Sequence, residues 1–573
     1  MTMRKLLAVS FLSFAFSISV YSQSWMWGKQ GNGASEPSTP ASDTLGNVYL
    51  TGYFYGQDSM SFGPYKFVNH ISNTNMGYIV GYDKNGNIRW AQAFNKTNKQ
   101  STNQPNMIST DLSGNVLVAG TFEDTLIVAT DTLISTYPYG LPQPFIAKFN
   151  SNGSLLWMKT AGAGSNEGEG LAITADKRGN SYLLGWFYPQ IYFGSIFLNT
   201  NWGGNFIVKY SPTGVVKWAT DYTFSNRAQA YPTGATTDLM GNLYITGDFF
   251  DTLRIGSYTF IDDRGGWNTF IAKYDSSGNL LWANQSHPLG QVSSIVPSSI
   301  AVDTFGYSYI TGTFIDTISF GSQILYGPAN LNYSNMFFVK YSPAGNAVWA
   351  RDAKLYSASA SCMGGTVAAD LSNHIYLAAV LVSGGFYDTI IIANDTIPLV
   401  YNDAPGFIAQ MDTSGKILCG ERTTTVGGGF DDINMGASLN GKYIYLGSDF
   451  GGTQVFGPDT LKATAGESPF VARWFYCGDT NITTSIKVLP QNNSVSVYPI
   501  PSTGKLTLQL EGAQNFASAI EIYNMVGEKV YAQSTNHHSE FILDLGTLSN
   551  GIYFLKMQMQ DGSTNIKKIE IAK

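Results

Sequence analysis

The chain has 573 residues, with 61 glycines, 14% aromatic and 13% charged residues and a formal net charge of −7. The charged share is about half the usual one, and the acidic balance with no basic cluster argues against a nucleic-acid partner. The length suits one large domain and one small one, and the glycine and aromatic content suits a β-protein with many turns.

In chain order, residues 1–22 read as a secretory signal. Arg4 and Lys5 precede the apolar run LLAVSFLSFAFSISV, and small residues follow near Ser22. No cysteine stands at the expected cleavage point, so a lipid anchor is not expected. No later stretch is apolar enough to span a bilayer, so the sequence predicts a mature protein that is exported and carries no transmembrane segment.

A repeat then fills residues 23–478. The segment D-x-x-G-N-x-Y-x-T-G ends at Gly52, Gly120, Gly185, Gly247, Gly312, Ala379 and Gly447, in steps of 68, 65, 62, 65, 67 and 68 residues. A second segment interleaves with it, as in FIAKFNSNGSLLW from Phe145 and FIAKYDSSGNLLW from Phe270. A fixed period of this kind means stacked supersecondary units. Each unit carries two hairpin signatures, β-branched and aromatic runs joined by a turn in which Asp caps and Gly takes positive φ. Four strands per unit and seven units predict an all-β fold, a seven-bladed β-propeller. Small residues before the repeat Asp (TGATT before Asp238, SSIAV before Asp303) suit the crowded axis, whereas Trp90, Trp157, Trp218, Trp282 and Trp349 can fill the wider outer gaps. The seventh unit has FVARW from Phe470 but no strand after it. The missing strand is expected to be SWMW from Ser24, which would close the ring and remove a sheet edge.

The histidines His70, His287, His374, His537 and His538 have no metal-ligand spacing, no nucleophile elbow, P-loop or dinucleotide fingerprint stands in context, and no cofactor is expected. The calcium-like start at Asp83 lacks the twelfth-position Glu, since Phe94 stands there, and reads as a hairpin turn. The repeats disagree most at the position seven before the repeat Asp, expected in a loop at the mouth of the central channel. Around the ring it reads Glu36, Gln104, Glu169, Tyr231, Val296, Met363 and Asp431, the last followed by Asp432. Acids and an amide facing Tyr231 could grip a sugar or a peptide; the competing reading is solvated surface. The tripeptide D-[ST]-[LIM] puts a hydroxyl at Thr44, Ser59, Thr125, Thr132, Thr252, Thr317, Thr389, Thr396 and Thr460, where a turn role is the plain reading. Three cysteines cannot all pair; Cys419 and Cys477 end outer strands of blades six and seven, where a bridge between them would suit an oxidising compartment and free buried thiols are the alternative.

Residues 479–494 are polar and aperiodic and read as a linker. Residues 495–573 alternate like a small β-sandwich, with VSVYPIPSTGKLTLQL from Val495, IEIYNMVGEKVY from Ile520 and LDLGTLSNGIYFLKMQ from Leu543. This segment resembles the C-terminal sorting domain of the bacterial type IX secretion system, through Tyr498-Pro499, Pro501, Gly504, the turn Asn524 to Gly527, and Gly551 to Phe554. Ile500 departs from it, where the family usually has Asn. The resemblance implies recognition by that machinery in a Bacteroidetes-type cell, loss of the domain, and surface attachment or release. It also makes D-[ST]-[LIM] resemble an O-glycosylation acceptor of that phylum. The repeats likewise resemble the bacterial β-propeller repeat family. The G-N-L-L-W ending is similar to repeats of pyrroloquinoline-quinone dehydrogenases, but those have eight blades and a vicinal disulfide, which this chain lacks.

Two functions follow as expectations. One is a secreted or surface-displayed scaffold that binds a polysaccharide or protein, with adhesion as one use. The other is a carbohydrate-active enzyme, a lyase or glycosidase, at the channel mouth, for which Glu36, Glu169 and Asp431 are the available acids.

Overall fold

The computed structural model describes residues 25–474 and 494–573, apart from 56–58, 72–73, 97–101, 136–139, 163, 225–228, 263–264, 291–292, 328–333, 356–360, 383–388, 393–394, 399–405, 427–433, 438–442, 512–516, 525–528, 536–539 and 560–563. The signal segment, Asp431, Asp432 and Cys477 lie outside the described residues, as does all of the expected linker except Ser494. Among the described residues all regular structure is strand, and no helix is long and apolar enough to cross a membrane. Two compact units divide the chain, Met1–Asp479 and Thr480–Lys573.

In the first unit the repeats fold into seven antiparallel blades. Blade four shows the plan, running from the inner strand Gln229–Thr237 through Leu243–Phe250 and Asn268–Tyr274 to the outer strand Leu280–Gln285. Ring closure occurs as expected. The N-terminal strand Trp25–Gln30 pairs antiparallel with Asp459–Trp474, from Trp25 opposite Trp474 to Gln30 opposite Phe470, and so becomes the outer strand of blade seven.

The turn chemistry is the one the repeat predicts. Asp238 Oδ1 accepts the backbone N–H groups of Met240 and Asn242, Oδ2 accepts the Asn242 amide, and Gly241 takes φ +84°. Asp43, Asp111, Asp176, Asp303 and Asp370 accept the corresponding backbone bonds. At Asp83 the same pattern, with Asn85 and Asn87 as donors, uses the carboxylate within its own hairpin turn. The lysine of the second segment is drawn inward to this Asp. Lys148 Nζ lies 2.8 Å from Asp111 Oδ2, and the two side chains are only 2% and 1% exposed. Lys209–Asp176 and Lys273–Asp238 repeat the pair at 3.5 and 3.7 Å.

Five tryptophans of the outer strands reach across the gap to the next blade. The indole N–H of Trp27 donates to Lys84 O, Trp90 to Ser151 O, Trp157 to Pro212 O, Trp218 to Ser276 O and Trp282 to Pro343 O. At the next joint Lys340 and Arg351 donate instead, to the carbonyls of Thr413 and Ser414. In blade six the tryptophan register position holds Cys419, opposite Gln410 as Trp282 is opposite Lys273.

One feature departs from the four-strand expectation. Between the second and third strands of blades one to six lies a further hairpin, such as Thr252–Ile255 with Tyr258–Ile261 in blade four. It pairs back onto the preceding blade, where Thr223 and Phe224 of blade three stand opposite Arg254 and Leu253. The bridges Asn95 to Ile127 and Asn32 to Ser61, and the pairing of His287 with Ser319, do the same elsewhere. The hairpin thus covers the end of an otherwise open edge strand. It buries Leu253 and Ile255 against the core between blades three and four.

The second unit is a β-sandwich. A sheet of Ser494–Tyr498, Lys505–Glu511 and Glu540–Asp544 packs on one of Lys529–Ser534, Ala517–Tyr523, Gly551–Met559 and Thr564–Ile571. Their inner faces share a core of Leu506, Leu508, Leu543, Ile520, Ile522, Leu555 and Ile569.

Candidate functional site

Six inner strands enclose an axial cavity of about 350 Å³. Its lining begins two or three residues after the variable positions (Met107 after Gln104, Ala172 after Glu169, Thr233 after Tyr231) and runs to the Asp turns. The variable residues therefore stand beyond the cavity, at the end of the inner strands away from those turns. They are not loop residues, as the spacing suggested. Gln104, Glu169, Tyr231, Val296 and Met363 all lie within inner strands, paired to the second strand of their blade.

The repeat glycine explains how. The residue after each variable position pairs with it (Pro105 with Gly120, Gly170 with Gly185, Pro232 with Gly247, Pro297 with Gly312), and a bulge follows at once. This geometry brings the carbonyl of the variable residue onto the glycine. A Cβ built there would lie 2.0 Å from Gln104 O at Gly120, 1.8 Å from Glu169 O at Gly185 and 2.2 Å from Tyr231 O at Gly247. Only a residue without Cβ allows that approach. Blade six has Ala379 instead, and there the pairing breaks more widely, between Gly364 and Val367.

The ladder adds a second ring of residues that the spacing argument missed, namely the ones just after the repeat glycine. Tyr53 stands opposite Glu36, Trp186 opposite Glu169 and Asp248 opposite Tyr231. Cross-strand partners project from the same face and touch, so blades one, three and four each present an acid beside an aromatic. Blades two and five present Gln104 with Thr121 and Val296 with Thr313. The signal was legible in T-G-x, since the residue following the anchor varies as widely as the inner-strand position.

The three acids differ in state. Glu36 accepts hydrogen bonds from the hydroxyls of both Tyr53 and Tyr55, so its oxygens are engaged within blade one. Burial raises the Glu169 carboxyl above its usual range; facing Trp186 offsets part of this, and the charges of Glu167 and Glu123 add to it. Asp248 is 9% exposed, and burial pushes its carboxyl up to about 6. Tyr231 is 37% exposed. Burial and then the charges of Asp248 and Glu169 raise its hydroxyl. Trp267 packs beside it with ring centroids 6.2 Å apart, and Phe250 lies 5.9 Å from Trp267.

The remaining expected sites fall as follows. Among the hydroxyls of D-[ST]-[LIM], Ser59, Thr132 and Thr460 are exposed, Thr44, Thr252 and Thr317 are half-buried, and Thr125 is buried. Asp124, Asp251 and Asp316 take positive φ of 58°, 70° and 62°, and Thr317 N donates to Asp316 Oδ1, so the motif builds the inserted hairpin. Thr389 and Thr396 lie in the equivalent hairpin strands of blade six. Cys419 is disulfide-bonded.

Two family models match parts of the chain. Residues 496–572 match the secretion system C-terminal sorting domain, and residues 289–313 match a β-propeller repeat. An uncharacterized WD repeat-containing protein of Acanthamoeba polyphaga mimivirus is 23% identical over 338 residues, which cover 48% of this chain; the chain spans only 24% of that relative. Among solved structures, a protein of unknown function from Dyadobacter fermentans is 10% identical, covering 78% of this chain and 98% of that one, with a TM-score of 0.34. An ulvan lyase of a polysaccharide lyase family is 8% identical, covering 77% and 97%, with a TM-score of 0.37. The two family-model matches give a chain that carries a β-propeller repeat and a secretion system C-terminal sorting domain, a domain that marks proteins secreted by the type IX system and found outside the cell or attached to its surface.

Proposed function

We propose that this secreted propeller is a binding module whose ligand, a polysaccharide, lies across the channel mouth over blades one to four. The observation that carries the reading is the set of cross-strand acid–aromatic pairs, Glu36–Tyr53, Glu169–Trp186 and Asp248–Tyr231, with Trp267 extending the last. Aromatic faces stack on the apolar face of a sugar ring and carboxylates accept its hydroxyls, which is the division of labour of a shallow sugar site. Export through the sorting domain would present that mouth to material outside the cell.

A second reading, a lyase or glycosidase at the same mouth, is favoured by one observation. Asp248 and Glu169 both have carboxyls raised above their ordinary range, as a general acid requires. One experiment separates the two. The full chain lacking its signal is screened against polysaccharides by binding and by product analysis, beside a Glu169→Ala, Tyr231→Ala double variant. Binding without turnover, weakened in the variant, supports the binding module; shortened or unsaturated products overturn it in favour of the enzyme.

A further inference from the structure

The mouth is acidic in a particular way. Asp248 is 9% exposed, and the hydrogen bond that acts on its carboxyl comes from its own backbone N–H. A buried carboxyl with no cation beside it is costly to ionise, so it is neutralised or met by a cation. It stands in the ladder opposite Tyr231, which is open to solvent, and Tyr231 packs on Trp267. The charges that act on Tyr231 and Glu169 are all negative. Lys96, the cation that acts with Glu123, donates to Asn75 O. An anionic sugar would therefore meet repulsion here, and a neutral one would leave Asp248 uncompensated. A cation would be received by carboxylates and by the faces of Tyr231 and Trp267, which attract positive charge through the ring quadrupole.

Building on the polysaccharide-binding reading, we infer that the mouth at blades three and four takes an amino sugar with a free, protonated amine, held between Glu169 and Asp248 and stacked on Tyr231 and Trp267. Such a residue supplies both the ring that stacks and the cation that the buried carboxylate lacks.

The test uses the full chain lacking its signal and two probes that share a backbone, glucosamine oligomers with free amines and their fully N-acetylated counterparts, titrated calorimetrically at mildly acidic pH. The expected result is binding of the free-amine oligomer, at least about tenfold weaker binding of the acetylated one, and a comparable loss in Asp248→Asn, as for removal of a charge-assisted hydrogen bond. Added salt should weaken the free-amine complex and leave the acetylated one little changed. Circular dichroism of Asp248→Asn and Glu169→Gln controls for folding, and Glu169→Gln gives an independent arm that should show the same selective loss. Equal affinity for the two oligomers would overturn the amine assignment while leaving polysaccharide binding intact. Capture of oligolysine with neither sugar bound would overturn the sugar assignment. Failure of every polysaccharide, these included, would overturn the binding reading itself.

Discussion

Asp248 links stability to pH with a definite sign. Its carboxyl is raised from 3.8 to about 6 in the folded chain by burial. Well below its unfolded value of 3.8 it is protonated in both states. As pH rises towards 6 the unfolded chain ionises first, so stability falls through that window and stays lower above it. The shift corresponds to a cost on the order of 3 kcal/mol at neutral pH. Asp248→Asn should therefore be more stable than the parent at pH 7 and only slightly more stable near pH 4, as read from urea unfolding at the two values; an equal difference at both would show that ionisation is not the cause. At the adjacent position, Gly247→Ala would put a methyl 2.2 Å from Tyr231 O. A loss of about 1–3 kcal/mol is expected from overpacking, with weaker ligand binding because Tyr231 must shift. Unchanged melting and binding would show that the close approach is not needed. The glycine was plain in the repeat, but the reason for it was not, because the constraint comes from the carbonyl of a residue sixteen positions earlier, on the neighbouring strand.

At the scale of the element, the Asp turns and their capping bonds are local, so their chemistry was written in D-x-x-G-N. The buried Lys–Asp pairs and indole latches connect residues tens of positions apart and needed the folded blade. Lys148→Met would leave Asp111 buried beside no cation. Breaking a buried pair on one side costs about 3–5 kcal/mol, and a fall of that size in chemical denaturation is expected; a neutral outcome would mean that the turn bonds from Ser113 and Asn115 satisfy Asp111 alone. The inserted hairpins were hidden for a different reason. Their short runs, such as TLRI and YTFI, are too brief to be told from turns by periodicity. Their role, covering the edge of the preceding blade, depends on a neighbour in space.

For the whole molecule, the joints around blade seven are the ones to test. Blade seven takes its outer strand from the other end of the chain, and Trp27 latches it to blade one. Removing residues 25–30 should expose the edge of Asp459–Trp474, lower the melting temperature and promote association, measured by calorimetry and size exclusion; a monomer of parental stability would refute the closure. The joint between blades six and seven has no tryptophan at the latch position, and Cys419 stands there as a disulfide-bonded residue. We propose Cys477 as its partner. Cys362 lies on the inner strand of blade six, three strands away from Cys419, or about 14 Å at sheet spacing, beyond the roughly 7 Å that a bridge allows. In the repeat alignment Cys477 falls one place after the position whose carbonyl the indole uses elsewhere, so the bridge would stand in for the missing latch. Cys419→Ser should then cost about 2–4 kcal/mol, with a matching gain of free thiol in the denatured parent only after reduction.

The sequence by itself determined the number of blades, the turn chemistry and the small axial residues, because each follows from a local pattern that recurs along the chain; the closure followed from the strand that the last unit lacks, and the sorting domain from its own short motifs. Tertiary structure decided which residues meet at the mouth. A ladder sets Trp186 against Glu169 and Asp248 against Tyr231, and only packing of one blade on the next strips water from Asp248. Register and burial are properties of neighbours in space, and a single period along the chain does not carry them.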